Sequence, residues 1–242
     1  NSIKKNNKKV NIAIIPARGG SKRIPRKNIK EFNGKPMIAY AILAAKLSRI
    51  FDHIIVSTDD EEIAIIAQEW GAETPFLRPT DLANDYEATM PVIAHGIRFC
   101  HDLGWDFDYV CCIYPCVPFI KKEDLLGAYT RLIQNESNFC FPVTEFPSAI
   151  QRALKSKGDG TMQPFYPEFE QTRTQELEPG FYDVGQFYWG RTEAWLSNQF
   201  IHSDGLGYRI PPWRIVDIDT KDDWEYAEIL SNVLEQYKNK EG

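Results

Sequence analysis

Val10–Pro16 reads VNIAIIP and runs directly into Ala17-Arg18-Gly19-Gly20-Ser21-Lys22-Arg23-Ile24-Pro25-Arg26-Lys27-Asn28. A short, uncharged apolar run closed by a glycine-rich turn predicts a strand buried on both faces, the kind found in parallel sheets covered by helices. In open α/β sheets ligands bind beyond the carboxyl ends of the strands, where this turn falls. Adjacent Gly19 and Gly20 let the backbone turn sharply and bring N–H groups, Ala17 among the neighbours, to phosphate oxygens. Ser21 adds a hydroxyl donor, while Arg18, Lys22 and Lys27 can neutralise a triphosphate. Asn28 offers hydrogen bonds to a ribose or a base edge. The bland alternative is an exposed basic loop; the coincidence of glycines, bases and strand end disfavours it. Two other phosphate loops fail on spacing: Lys22 follows Ser21 where a Walker loop needs Gly-Lys, and GxGxxG is absent.

Outward from this loop, apolar runs alternate with helical patterns. Lys35–Ser48 reads as a helix with Pro36 in its first turn. His53–Thr58 reads as a strand, and Asp60–Trp70 as a helix stopped by Gly71. Thr89–Leu103 is helical, Tyr109–Tyr114 a strand, Glu123–Asn135 a helix and Phe139–Val143 a strand. This rhythm predicts an α/β fold with a Rossmann-like, doubly wound, mostly parallel sheet. Residues 145–180 lack a clean period and read as an inserted arm, which suits a partner or substrate role. Asp183–Gly190 (DVGQFYWG) and Arg214–Ile218 (RIVDI) read as further strands. Thr220 caps a last helix with a stripe of Trp224, Ala227, Leu230, Leu234 and Tyr237. The organisation expected is a flexible tail over 1–9 and one domain over 10–242.

The composition, 43% hydrophobic and 26% charged over 242 residues, argues against disorder and allows a core without metals or disulfides. No apolar run approaches the ~20 residues that span a bilayer, so no membrane partner is expected. Residues 1–30 hold ten Lys or Arg and no acid, whereas the other 212 residues hold 18 bases against 34 acids. Nucleic-acid binders spread positive charge over a face; concentration in one stretch suits a compact polyanion, and no nucleic acid is expected. The odd count of cysteines (Cys100, Cys111, Cys112, Cys116, Cys140) shows no disulfide framework or CxxC pair. They read as small buried hydrophobes in a reducing cytoplasm. His53, His95, His101 and His202 show no triad or ligand spacing.

In VDIDT, Asp217 and Asp219 flank Ile218. On a strand their carboxylates share a face and suit Mg²⁺, which keeps waters and shares phosphate oxygens. A capping turn with incidental acids is an equal alternative on spacing alone. Asp183, Gln186 and Tyr188 are read as sharing one face of their strand, either a pocket lining or a half-buried strand with polar edges.

The stretch IIPARGGSKRIPRKN closely resembles the signature loop of the acylneuraminate cytidylyltransferases, and the likeness runs from Val10 to about Tyr237. DVGQFYWG and the neighbouring TRTQELE resemble the branch that activates pseudaminic acid. The resemblance implies transfer of CMP from CTP to the anomeric hydroxyl of an acidic nine-carbon sugar. N-acetylneuraminate and legionaminate are alternative sugars; a nucleotide-binding protein without catalysis is the alternative of another class. It implies that Asp217 and Asp219 hold Mg²⁺ and that Arg18, Lys22 and Lys27 stabilise the leaving pyrophosphate. Arg78, in an RPxxLAxD-like run from Arg78 to Asp85, would contact cytosine; alone it reads as an ion-pair partner. Tyr114 stands where many relatives have a sugar-contacting Gln, which favours a less polar sugar; strand-end packing is its other reading. Arg173 and Gln175 fall where the family engages the sugar and its carboxylate. No side chain stands out as the general base; Asp219 and a metal-bound hydroxide are both open. The family is typically homodimeric through its arm, so a dimer is expected.

Overall fold

The structure is a computed structural model that describes residues 9–82, 89–197, 200–203 and 205–238. The tail up to residue 8 and positions 83–85 of the RPxxLAxD-like run lie outside the described residues.

The elements run β1 (Asn11–Pro16), β2 (Glu31–Phe32), β3 (Lys35–Pro36), α1 (Ile38–Ser48), β4 (His53–Ser57), α2 (Glu61–Glu69), α3 (Thr89–Asp102), β5 (Tyr109–Ile113), α4 (Lys122–Gln134), β6 (Phe139–Glu145), β7 (Leu154–Ser156), β8 (Met162–Pro164), β9 (Phe181–Asp183), β10 (Phe187–Arg191), α5 (Thr192–Leu196), β11 (Leu206–Arg209) and α6 (Lys221–Lys238). The main sheet has the order β11-β6-β10-β5-β1-β4, with β9 on β6. Strand β1 is parallel to β4 and β5, while β10 runs antiparallel between β5 and β6. Strand β11 is parallel to β6 and β9 antiparallel to it. The mostly parallel α/β sheet expected from the sequence is present.

The central strands are buried on both faces, and their side chains alternate between two cores. Ala13 and Ile15 pack with Ile38 and Ile42 of α1 and Leu125 and Ala128 of α4. Ile12 and Ile14 pack on the other face with Ile93 and Ile97 of α3 and Trp195 of α5. A third core joins Ile24 of the basic loop, Phe32, Met37, Ile218, and Trp224 and Ala227 of α6. It holds the two ends of the chain together beside the carboxyl end of β1.

Four local readings need correction. Lys35 and Pro36 are not helical. Asn33 (φ 46°) and Gly34 (φ 78°) make the left-handed pair of a tight hairpin joining β2 to β3, and α1 starts at Ile38. DVGQFYWG is two strands, broken where Gly185 takes φ 70°. RIVDI is not a strand: a 3₁₀ turn over Pro212–Arg214 is followed by chain that pairs with no ladder. The last strand is instead β11. In the arm, β7 and β8 form a small hairpin and the rest is turns. On α6, Trp224 and Ala227 are buried, but Tyr237 is exposed. No helix among the described residues is long and apolar enough to cross a membrane.

Candidate active site

Beyond Pro16 the chain stays pinned to β4, because the Ala17 N–H donates to the Ser57 carbonyl at 2.9 Å. Ala17 is therefore buried, and the turn proper starts at Arg18. Neither Gly19 nor Gly20 has positive φ; the left-handed residue of this loop is Arg26 (φ 55°). Gly19 is needed for closeness instead: a Cβ there would lie 2.6 Å from Asp60 Oδ2, whereas one at Gly20 meets nothing within 4 Å. The Gly19 N–H donates to Asp59 Oδ1 at 2.9 Å. Asp60 caps α2 by accepting from the Ile63 N–H at 3.0 Å and also binds Arg26 Nη1 at 2.5 Å. Glu62 takes the other guanidinium nitrogen. The Arg26 guanidinium holds the Asp60 carboxyl below its usual range. The acidic start of α2 thus anchors the basic loop. Asn28 is buried and donates to the Arg18 carbonyl at 3.1 Å, bracing the loop from inside.

The acidic segment approaches from the far end of the chain. Ile218 is 2% exposed and points into the third core. Asp217 and Asp219, on either side of it, line one cavity. The alternation expected of a strand is kept by extended chain without a ladder. Lys27 Nζ donates to the Ile218 carbonyl at 2.6 Å and lies 3.5 Å from Asp219 Oδ1. Arg23 Nη2 lies 3.0 Å from Asp219 Oδ2. Burial, then the neighbouring Asp219, pushes the Asp217 carboxyl above its usual range. The Thr220 cap is present and reciprocal: Asp223 Oδ2 accepts from the Thr220 and Asp219 N–H groups, and the Asp223 N–H donates to Thr220 Oγ1 at 3.2 Å. Upstream, Arg214 and Asp124 form a buried two-point ion pair at 2.6 and 3.2 Å.

Basic loop and acidic segment share a cavity of about 410 Å³. Arg18, Ser21, Lys22, Lys27 and Asn28 line it with Asp217 and Asp219; Lys22 and Asp219 share one cleft. Arg78 lines it too, although buried. Its Nη2 donates to the Ser57 carbonyl at 2.6 Å, Nε to Ser57 Oγ at 3.2 Å and Nη1 to the Leu82 carbonyl at 3.3 Å. Burial pushes its pKa down. These three acceptors are neutral, while the Asp59 carboxylate favours the charged guanidinium from nearby. Tyr114 lines the cavity, its hydroxyl 3.0 Å from Thr89 Oγ1.

Other expected residues lie outside this lining. Ala17, Gly19 and Gly20 belong to the loop but not to the lining. Asp183 and Tyr188 lie behind the Tyr114 ring, and the buried Gln186 accepts from the Tyr114 N–H with its backbone carbonyl at 2.8 Å. Arg173 and Gln175 are exposed on the arm. The shared-face argument for Asp183 fails with the strand break; the turn at Gly185 nevertheless lets Asp183 Oδ2 accept from the Tyr188 hydroxyl at 2.6 Å. The sequence reading missed Arg23, Thr89 and Cys116 of the lining. Arg23 belongs to the basic run and could have been included. Cys116 is half-buried, with its thiol pushed up to about 12 by burial; Cys100, Cys111, Cys112 and Cys140 are buried and free.

With this geometry in view, the profile of the cytidylyltransferase family matches residues 12–158. The chain belongs to that family. It is a CTP-using nucleotidyltransferase. It is 42% identical to a pseudaminic acid cytidylyltransferase of Campylobacter jejuni over 92% of this chain and 97% of the relative. It is 29% identical to a CMP-N,N'-diacetyllegionaminic acid synthase of Legionella pneumophila over 93% of this chain and 97% of that one. The fold resembles that of a CMP:2-keto-3-deoxy-manno-octonic acid synthetase solved in complex with CTP. The TM-score is 0.69 at 16% identity, covering 92% of this chain and 98% of that one.

Proposed function

We propose that this cytidylyltransferase transfers CMP from CTP to the anomeric hydroxyl of pseudaminic acid, releasing pyrophosphate. One observation carries the reading: a cation-rich strand exit and two carboxylates from the opposite end of the sequence line one cavity. The identity to the Campylobacter relative supports the choice of sugar. So does Tyr114, whose aromatic face suits a deoxygenated sugar better than a polar amide would.

The anomeric hydroxyl attacks the α-phosphorus and gives up its proton to Asp219 or to water, the bond from that phosphorus to the bridging oxygen breaks, and pyrophosphate leaves with the negative charge. Chemistry of this kind asks the protein for positioning and charge stabilisation. Arg18, Lys22 and Lys27, all on the cavity, would stabilise that charge. Gly19, Gly20 and Ser21 shape the phosphate turn, with Ser21 on the cavity. Arg78 keeps N–H groups for the carbonyl and ring-nitrogen acceptors of cytosine. Asp217 and Asp219 fit a divalent cation. They are hard oxygen donors on one wall, and the repulsion between them is what a cation relieves. Among the described residues no group of three or more His, Cys, Asp or Glu could hold a metal, so Mg²⁺ would complete its shell with water and phosphate. When bound, it supplies Lewis-acid polarisation and charge neutralisation.

The same reading takes the arm over 145–180 as the contact in a homodimer, supported by its exposed Leu154, Met162 and Phe165. Arg173 and Gln175 would then act from that arm. A cytoplasmic setting is supported by the free thiols. The test is pyrophosphate release from CTP and Mg²⁺ with a panel of nonulosonic acids, and the mass of the product. CTP binding without pyrophosphate from any acidic sugar sinks the proposal; faster turnover of N-acetylneuraminate or legionaminate sinks the choice of sugar.

A further inference from the structure

Asp183 was expected to bind sugar, yet its acceptor positions are taken by the protein itself. Oδ1 accepts from the Gly185 N–H at 2.8 Å. Oδ2 accepts from the Tyr188 hydroxyl at 2.6 Å and lies 2.8 Å from His202 Nε2. His202 is also packed in place, edge-on to Phe141 at 5.0 Å and to Tyr188 at 6.4 Å. Tyr188 is 5% exposed, and its ring meets that of Tyr114 edge-to-face at 5.4 Å. The Tyr114 hydroxyl in turn meets Thr89, and both line the cavity. The contacts run unbroken from an exposed histidine to the cavity wall.

A buried phenol must find an acceptor. Asp183 takes the one proton that the Tyr188 hydroxyl can donate, so toward the neighbouring Tyr114 hydroxyl that oxygen can only accept. A Tyr188 hydroxyl that is released from Asp183, or removed, no longer holds that place beside Tyr114, and the Tyr114 ring loses its set position on the cavity wall. A carboxylate facing an acidic sugar would also repel it. Here the carboxylate stands behind two aromatic rings, against an imidazole.

Resting on the sugar-transfer reading above, we propose that Asp183 and His202 are positioning residues for the acceptor sugar. Asp183, braced by Gly185 and His202, fixes the Tyr188 hydroxyl, and Tyr188 fixes the ring of Tyr114 on the cavity wall. Neither residue touches the substrate.

The experiment is steady-state kinetics of the whole enzyme, varying CTP and the preferred sugar separately. Asp183→Leu should raise the KM for sugar about tenfold, the worth of one misplaced hydrogen bond, and leave the KM for CTP within about twofold. Asp183→Asn keeps an oxygen acceptor for Tyr188 but turns its NH2 toward the Gly185 N–H, so it should restore part of the loss. Tyr188→Phe removes only the hydroxyl, so it reads the same step if Asp183→Leu fails to fold, and should show the same split. His202→Phe keeps a ring and should give a smaller rise in the same constant. Equal rises in both KM values, no rise in Tyr188→Phe, or an Asn variant as impaired as the Leu variant would overturn the assignment. A wild type releasing no pyrophosphate with any acidic sugar is a different failure, that of the function reading.

Discussion

Lys27 joins the halves of the site, and replacing it with Met keeps the stem while removing the charge. Its ammonium donates to the Ile218 carbonyl at 2.6 Å across 191 residues of sequence, with Asp219 Oδ1 at 3.5 Å. A hydrogen bond from a charged group contributes about 1.5–3 kcal/mol. The ion pair adds less than about 1 kcal/mol, because Asp219 is 42% exposed and solvent screens it. If the same ammonium meets charge developing on pyrophosphate, kcat/KM for CTP should fall by about 10- to 150-fold, the rate equivalent of the larger contribution. Pyrophosphate release with CTP varied at saturating sugar measures this, alongside a urea unfolding curve. Arg23→Met is the comparison: Arg23 is 66% exposed, so its loss should cost less than about tenfold. A folded Lys27→Met enzyme with kcat/KM within about twofold of wild type would refute the reasoning. A lowered unfolding midpoint beside unchanged kinetics would reduce Lys27 to a strut.

Asp217→Asn should abolish divalent-metal-dependent turnover while leaving the metal-free unfolding midpoint unchanged or raised, since it removes one of two repelling carboxylates; a lowered midpoint with activity retained would exclude it as a ligand. Gly19→Ala forces a Cβ against Asp60 and should cost about 1–3 kcal/mol in urea unfolding, whereas Gly20→Ala should be near neutral; equal effects would refute the close-approach account. Asp60 has its pKa lowered by Arg26, so its stabilisation is fully present above 3.8 and is lost as pH falls through the depressed value. Asp60→Asn, which can still cap α2, should unfold earlier than wild type at pH 7 and converge with it once pH has fallen below the depressed Asp60 value; an offset that persists there would show that the ion pair is not the cause.

The β1 run, the basic loop and the cap-to-glycine span of α2 were legible because each is specified locally: a buried strand needs a charge-free run, and Asp60 and Gly71 punctuate the helix. Two misread places carried signals that outweighed the pattern applied to them. Asn33-Gly34 announces a hairpin, and a lone glycine in DVGQFYWG announces a break. RIVDI and β11 are different. The first is β-branched yet has no neighbouring strand; the second, Leu206–Arg209, includes a glycine and pairs on one side only. A strand is defined by its neighbour, and propensity does not name the neighbour. The partnership of His202 with Asp183 was invisible for the same reason: the fold makes it, the spacing does not.

Why the acidic segment holds its place without a ladder follows from its anchors. Arg214 is tied to Asp124 on one side, and Asp223 gathers the Asp219 and Thr220 N–H groups on the other. Between them Ile218 is buried beside Ile24 of the basic loop, and burial of a side chain this size stabilises by about 1.5–3 kcal/mol. Ile24 and Ile218 thus share one small core, with cations on the loop and carboxylates on the segment turned to the cavity. Opposite charges so arranged attract across the cleft, where Arg23 and Lys27 meet Asp219. A triphosphate with its cation would replace those contacts by stronger ones of the same sign, so binding need not create the charge pattern. The third core holds that pattern by apolar packing, which is the preorganisation that the proposed charge-stabilising catalysis requires.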